Sequence, residues 1–398
     1  MSHSIVQCSF FENDILKAAQ NVIFEGEKIR AIRPADGSDA DTILPGGEAR
    51  SAGSLFASGS LFASGSLVPA GEEMLLVPGF IDLQVYGAGG RLFSASPDVE
   101  TLAYIEEQLL QQGTTGFLIC MATNTPEVFQ AGIAAAKAHR ASAKNCLGLH
   151  LEGPFLNPKR KGAHVAEYIR KASLDEIKAL LDFGDGLIRM MTIAPELQDD
   201  AVIQYLLDQG VILSLGHSDA DFAEATRAYQ QGLQSTTHLF NAMSPLQHRA
   251  PGIPAAVFNH DRAMASIIAD GHHVDFEVIR LSYQLLKERL FLITDAVTEC
   301  DRGPYQHRFA GDKFVMPDGT LSGSALTMLQ AVKNVVKKAG IPLHEAIKMA
   351  SLYPARLIGE QLRAGSLQPG LDANFLLLDK DMQLQQVFFR GQEVKIDG

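Results

Sequence analysis

No apolar run in these 398 residues approaches the ~20 residues needed to span a bilayer. The opening stretch, MSHSIVQCSFFENDILKAAQ, also lacks a basic patch followed by an apolar one, so it does not read as a secretory signal. Positive charge is in deficit, with 34 Lys and Arg against 46 Asp and Glu, for a formal net charge of −12. With no long basic run to offset it, that balance argues against nucleic acid or an anionic membrane as a partner. The four cysteines, Cys8, Cys120, Cys146 and Cys300, are scattered and form no C-x-x-C pair. Their spacing excludes a zinc ribbon or a disulfide framework and suits a reducing compartment. The expectation is a soluble, cytoplasmic protein.

What is present is a beat of short apolar strands alternating with amphipathic helical stretches. From residue 78 onward the strand-like segments are GFIDLQVYG, TTGFLICMATN, CLGLHLEGPF, LIRMMTIAPE, VILSLGHSDA, STTHLFNAM, MASIIADGHHV and LFLITDAV. Between them lie segments such as DVETLAYIEEQLLQQG and DAVIQYLLDQG, whose closing glycines suit a helix C′ position. Eight strands with interleaved helices predict an α/β fold of the (β/α)8, TIM-like barrel type. A doubly wound sheet is the rival, but the glycine-rich phosphate fingerprint it usually carries is absent.

The flanks break the beat. Residues 1–77 and 361–398 hold short alternating segments such as NVIFEGEKIRAI and ANFLLLDKDMQLQQVFFRGQEV. They predict a small β-sandwich built from both chain ends around a barrel at 78–360. Within the first flank, residues 53–71 repeat the unit GSLFAS. Its period is far below that of solenoid repeats, so it reads as a duplication tolerated in a loop.

Barrel enzymes place their chemistry at the C-terminal ends of their strands. Here the third strand carries His150 and Glu152, the fifth His217, the sixth His238, the seventh His272 and His273, and the eighth Asp295. Only twelve histidines exist in the chain, and half of them, counting His164, cluster at or just beyond strand ends. One carboxylate and two imidazoles (Glu152, His217, His238) form a donor set that zinc accepts with a position left for water, and Asp295 is placed to act as a base.

The segments HLEGPFLNPKRKGAH, GHSDA, THLFNAM, IADGHHV, TDA and GTLSGSALTM, taken in order, resemble the motifs of the N-acetylglucosamine-6-phosphate deacetylase family of the amidohydrolase superfamily. The resemblance implies one divalent metal ion per chain, held by Glu152, His217 and His238, with zinc first and Mn²⁺, Co²⁺ or Fe²⁺ as alternatives. It implies Asp295 as the acid/base and His164 as partner of the acetamide carbonyl. It further implies substrate binding by Ala163, Asn241, Ala242, Arg249 and His273, with Leu321, Ser322 and Gly323 lining the pocket. The arginine resembles one supplied across a dimer interface, so a homodimer or homotetramer is expected. The substrate would be a small amino-sugar phosphate.

The first strand departs from the family. Members carry either His-x-His, serving a second metal, or Gln-x-Asn, whereas this chain has Gln84 and Tyr86. A phenol with a pKa near 10 is a poor zinc ligand at neutral pH, so an outer metal position is expected to be missing. Plainer roles suit several other residues: His150 beneath the site, His272 as a loop histidine, the KRK run at 159–161 as a solvated loop, and GAGG at 87–90 as a close-approach loop. Ser322 and Ser324 have no base that would make either a nucleophile. Three rivals remain at this stage: a deacetylase of the galactosamine epimer, a silent barrel used as a scaffold, and a cyclic amidohydrolase. The last usually wants a lysine at a strand end, which this chain lacks.

Overall fold

A computed structural model describes residues 2–34 and 74–396; the GSLFAS repeat lies outside them. The described chain forms two compact units, residues 80–360 and the two terminal segments together.

In the larger unit, eight parallel strands follow one another around a sheet in chain order: Phe80–Val85, Thr114–Ala122, Cys146–Glu152, Ile188–Ile193, Ile212–Leu215, Ser235–Thr236, Met264–Ile268 and Leu290–Ile293. The ring closes where the Asp295 N–H donates to the Gln84 carbonyl at 2.9 Å and Val85 bridges Ala296 in parallel. Buried Asp82 reinforces that seam by accepting from both the backbone and the hydroxyl of Thr294. This is the (β/α)8 barrel that the eight-strand pattern predicts. Its strands are almost wholly buried because helices cover the outside and side chains fill the inside.

The helices start where the sequence supplies caps. Asp98, Thr125, Ser173, Asp275 and Thr327 each accept a backbone N–H of the first turn. Asp221 and Glu224 form a reciprocal capping box. Among the described residues, no helix is long and apolar enough to cross a membrane.

In the terminal unit, strands from both chain ends share one seven-stranded sheet, with Leu75–Pro78 pairing antiparallel to Phe375–Leu378 and parallel to Ser2–Glu12. The sheet folds over on itself. Phe24 and Phe375 lie three strands apart in the sheet order, yet their rings meet edge to face at 5.7 Å. Three strand spacings of a flat sheet would separate them by roughly 14 Å. The two halves therefore face each other around a core that includes Phe10, Val22, Ile29, Leu76 and Phe388, which is the sandwich arrangement.

Candidate active site at the mouth of the barrel

Glu152, the last residue of the third strand, stands at the centre of a buried polar cluster. Its Oε1 lies 3.4 Å from His217 Nε2 and 3.0 Å from His238 Nε2, and the two imidazole nitrogens are 3.0 Å apart. Donors that share one tetrahedral zinc at 2.0–2.1 Å sit about 3.3 Å from one another. His217 Nδ1 donates to the Arg160 carbonyl at 2.9 Å, which leaves its Nε2 lone pair facing the cluster. Two nitrogens and a carboxylate oxygen converging in this way fit a divalent cation.

His164 is also within reach, its Nε2 being 3.1 Å from Glu152 Oε2. Its tautomer points to another role. The Thr123 N–H donates to His164 Nδ1 at 3.3 Å, and the Thr123 hydroxyl lies 2.8 Å from the same nitrogen. Burial pushes the imidazole pKa down to about 4, so the ring is neutral, and its one proton sits on Nε2. His164 thus presents an N–H donor to the cluster.

Across from Glu152, Asp295 Oδ1 accepts from Gln84 Nε2 at 2.8 Å. Burial, followed by the nearby charges of Glu152, Asp82 and Asp270, pushes its carboxyl well above the usual carboxylate range. A cation held at Glu152 works against that shift. The same Gln84 nitrogen lies 2.9 Å from Glu152 Oε1, and the Tyr86 hydroxyl donates to Glu152 Oε2. Burial raises the Tyr86 phenol well above its ordinary value, so it stays protonated and acts as a donor. On the first strand, then, an amide and a phenol occupy the side of Glu152 where a His-x-His pair would offer ligands.

The backbone here is strained. His217, His238, Ala242 and Asp295 take φ values of 46°, 32°, 47° and 54°, a left-handed region that side chains other than glycine's rarely adopt. Such strain gathers at functional sites because the surrounding fold must hold it there.

One cavity of about 180 Å³ is lined by Tyr86, Glu152, His164, His217, His238 and Asp295. Ala163, Asn241, Ala242 and His273 also line it, as do Leu321, Ser322 and Gly323. His273 Nδ1 is fixed by Asp270 at 2.6 Å. Gly323 has a φ of +106°, and a Cβ there would lie 2.9 Å from the Asp295 carbonyl oxygen, so glycine alone lets this wall close on the acid.

One substrate-binding candidate stands apart: Arg249 is exposed on a tight turn closed by Gln247 and Ala250, and it does not line the cavity. His150 packs beneath the site between the Leu83 carbonyl and the Thr192 hydroxyl, and His272 pairs with Asp312. Lys159 and Arg160 pair with Asp219, while the Arg160 carbonyl orients His217. Sequence reasoning missed Tyr305 and His307, which line the cavity from the loop after the eighth strand. That loop has no periodicity to flag them.

A family model for the amidohydrolase family matches residues 75–397. The chain belongs to that family. The family is metal-dependent, and this amidohydrolase carries a Glu/His cluster able to bind a metal. It is 36% identical over 331 residues to an N-acetylglucosamine-6-phosphate deacetylase of Haemophilus influenzae, covering 80% of this chain and 86% of the relative. It is 34% identical over 330 residues to an N-acetylgalactosamine-6-phosphate deacetylase of Escherichia coli O157:H7, covering 80% and 87%. Among solved structures, the N-acetylglucosamine-6-phosphate deacetylase of Pasteurella multocida superposes with a TM-score of 0.87 at 31% identity over the whole of both chains.

Proposed function

We propose that this amidohydrolase hydrolyses the acetamide of N-acetyl-D-glucosamine 6-phosphate, giving D-glucosamine 6-phosphate and acetate, as a step of amino-sugar breakdown. The observation that carries the reading is the cavity that brings Glu152, His217 and His238 together with Asp295, with His164 beside Glu152 as a fixed donor. The relatives' activity agrees with it. The intact cluster speaks against a silent scaffold.

Glu152, His217 and His238 would hold one divalent ion, zinc first, with Mn²⁺, Co²⁺ or Fe²⁺ compatible with the same donors. When bound, the ion supplies a water acidic enough to attack at neutral pH and polarises the amide carbonyl. Asp295 accepts the attacking water's proton and passes it to the departing amine nitrogen, which could not leave as an anion. The His164 Nε2–H donates to the carbonyl oxygen as negative charge develops there. Ala242 presents its backbone N–H, and His273 an imidazole, to the phosphate, while the Asn241 N–H is spent on the His238 carbonyl at 2.9 Å.

Arg249 completes phosphate binding from a second copy in a homodimer, which explains why the arginine is exposed and absent from its own cavity. Arg249→Ala should raise KM for the phosphorylated sugar at least ~10-fold, as loss of a charge-assisted contact does, and leave the slow reaction of unphosphorylated N-acetylglucosamine unchanged. Mixed with a variant disabled at Asp295, it should regain activity through hybrid dimers. Equal losses on both sugars would remove Arg249 from the phosphate site. The function itself is tested by acetate release from the two epimeric sugar phosphates: the gluco compound should be turned over with the higher kcat/KM. Preference for the galacto epimer would reassign the substrate, and release from neither would end the reading.

A further inference from the structure

We infer that His307 reads a ring hydroxyl of the substrate through its Nε2, in an orientation that Ser322 fixes. The inference rests on the proposed sugar-phosphate substrate. Such a sugar spends its acetamide at the Glu152 end of the cavity and its phosphate at the Asn241 and His273 end. Its ring hydroxyls face what remains, and much of the remaining wall comes from the chain after the eighth strand, joined by Leu92, Ser94, Ala122 and Ile268. That chain includes a three-stranded antiparallel sheet of residues 308–309, 313–315 and 321–324.

Several polar groups of the cavity are already committed to other protein groups. His164 is held between Thr123 and Glu152, Asp295 meets Gln84, and the Tyr305 hydroxyl donates to the Thr123 carbonyl at 2.5 Å. His307 differs. Its Nδ1 lies 3.0 Å from Ser322 Oγ, and its ring lies at 18° to that of Tyr305, with centroids 6.1 Å apart. Among the described residues no group pairs with its Nε2, although the side chain lines the cavity and the residue is only 6% exposed.

The His307 Nε2 keeps access to the cavity and is not sealed into apolar packing, so it is open to a polar group bound there. Burial pushes the ring's pKa down to about 4, so it is neutral and carries one proton. If Nδ1 donates to Ser322, Nε2 accepts; if the Ser322 hydroxyl donates to Nδ1, Nε2 donates. A sugar hydroxyl both donates and accepts and so satisfies either tautomer, whereas a phosphate would favour a charged partner. Tyr305 ties the same wall to Thr123, which orients His164, so the hydroxyl reader and the carbonyl donor are braced together.

The test is steady-state acetate release by wild type, His307→Phe, His307→Asn and Ser322→Ala, on N-acetylglucosamine 6-phosphate and its 1-, 3- and 4-deoxy analogues. On the parent sugar, His307→Phe should raise KM about tenfold, the cost of one unmade hydrogen bond in a buried site, with kcat within about threefold and metal content unchanged. His307→Asn should recover part of the loss, and Ser322→Ala should fall between. One deoxy analogue should be bound about tenfold more weakly by wild type yet suffer no further loss in His307→Phe, which identifies the hydroxyl. Losses that multiply for all three analogues would overturn the inference, as would a KM within twofold of wild type or a fall in kcat together with metal. Should His307→Phe fold poorly, the asparagine and Ser322 variants carry the same comparison. A wild-type enzyme inactive on the parent sugar would instead sink the proposed function.

Discussion

Asp295→Asn should bind its metal normally and lose kcat by about 10³-fold or more, the upper range for removal of a general acid/base. The substitution keeps the shape and the oxygen that accepts from Gln84 Nε2, so the seam between the first and eighth strands survives. What it removes, on the proposed mechanism, is the group that takes the water's proton and returns it to the amine. KM should move little, because the role proposed for Asp295 is on the reacting atoms and not on the phosphate or ring. Both numbers come from one kinetic series with metal analysis of the same sample. Turnover within tenfold of wild type would show that another group moves the proton.

Glu152→Gln should abolish activity by a different route. Among the described residues Glu152 is the only carboxylate in the cluster with His217 and His238, and it also receives the Tyr86 hydroxyl and the His164 N–H. The imidazoles around it, above all His217, hold its carboxyl well below the usual range against the opposing effect of burial. Without that charge two neutral imidazoles remain, and metal affinity should fall by more than the ~10–100-fold that loss of an outer partner costs. Metal analysis after gel filtration should find little bound ion, and excess metal should restore only a small part of the rate. A variant that kept its ion and failed only in kcat would move Glu152 from ligand to base.

The barrel was legible because each strand is short, apolar and bounded by turns, and even the sixth, reduced to Ser235–Thr236 in the structure, was marked by the THLFNA that follows it. The meeting of Glu152, His217, His238 and Asp295 in one cavity was legible for a related reason: barrel topology sends every strand end to one face. Other features were not. The left-handed φ of His217, His238 and Asp295 leaves no compositional trace, since none of them is glycine. Tyr305 and His307 sit in a loop whose approach to the cavity depends on contacts with Thr123 and Ser322, far away in the chain or across a hairpin. Arg249 was legible as a residue type, but its exposure could be seen only in the folded chain. The curling of the terminal sheet onto Phe24, Phe375 and Phe388 depends on strands from opposite ends of the sequence.

Metal titration of the chelated protein, with acetate release from N-acetylglucosamine 6-phosphate followed at each addition, bears most directly on the site. Chelation should remove activity, and zinc should restore it in full at one equivalent per chain, because Gln84 and Tyr86 leave the first strand without a ligand pair. Activity that survives chelation, or that needs two equivalents per chain, would contradict a single ion held by Glu152, His217 and His238.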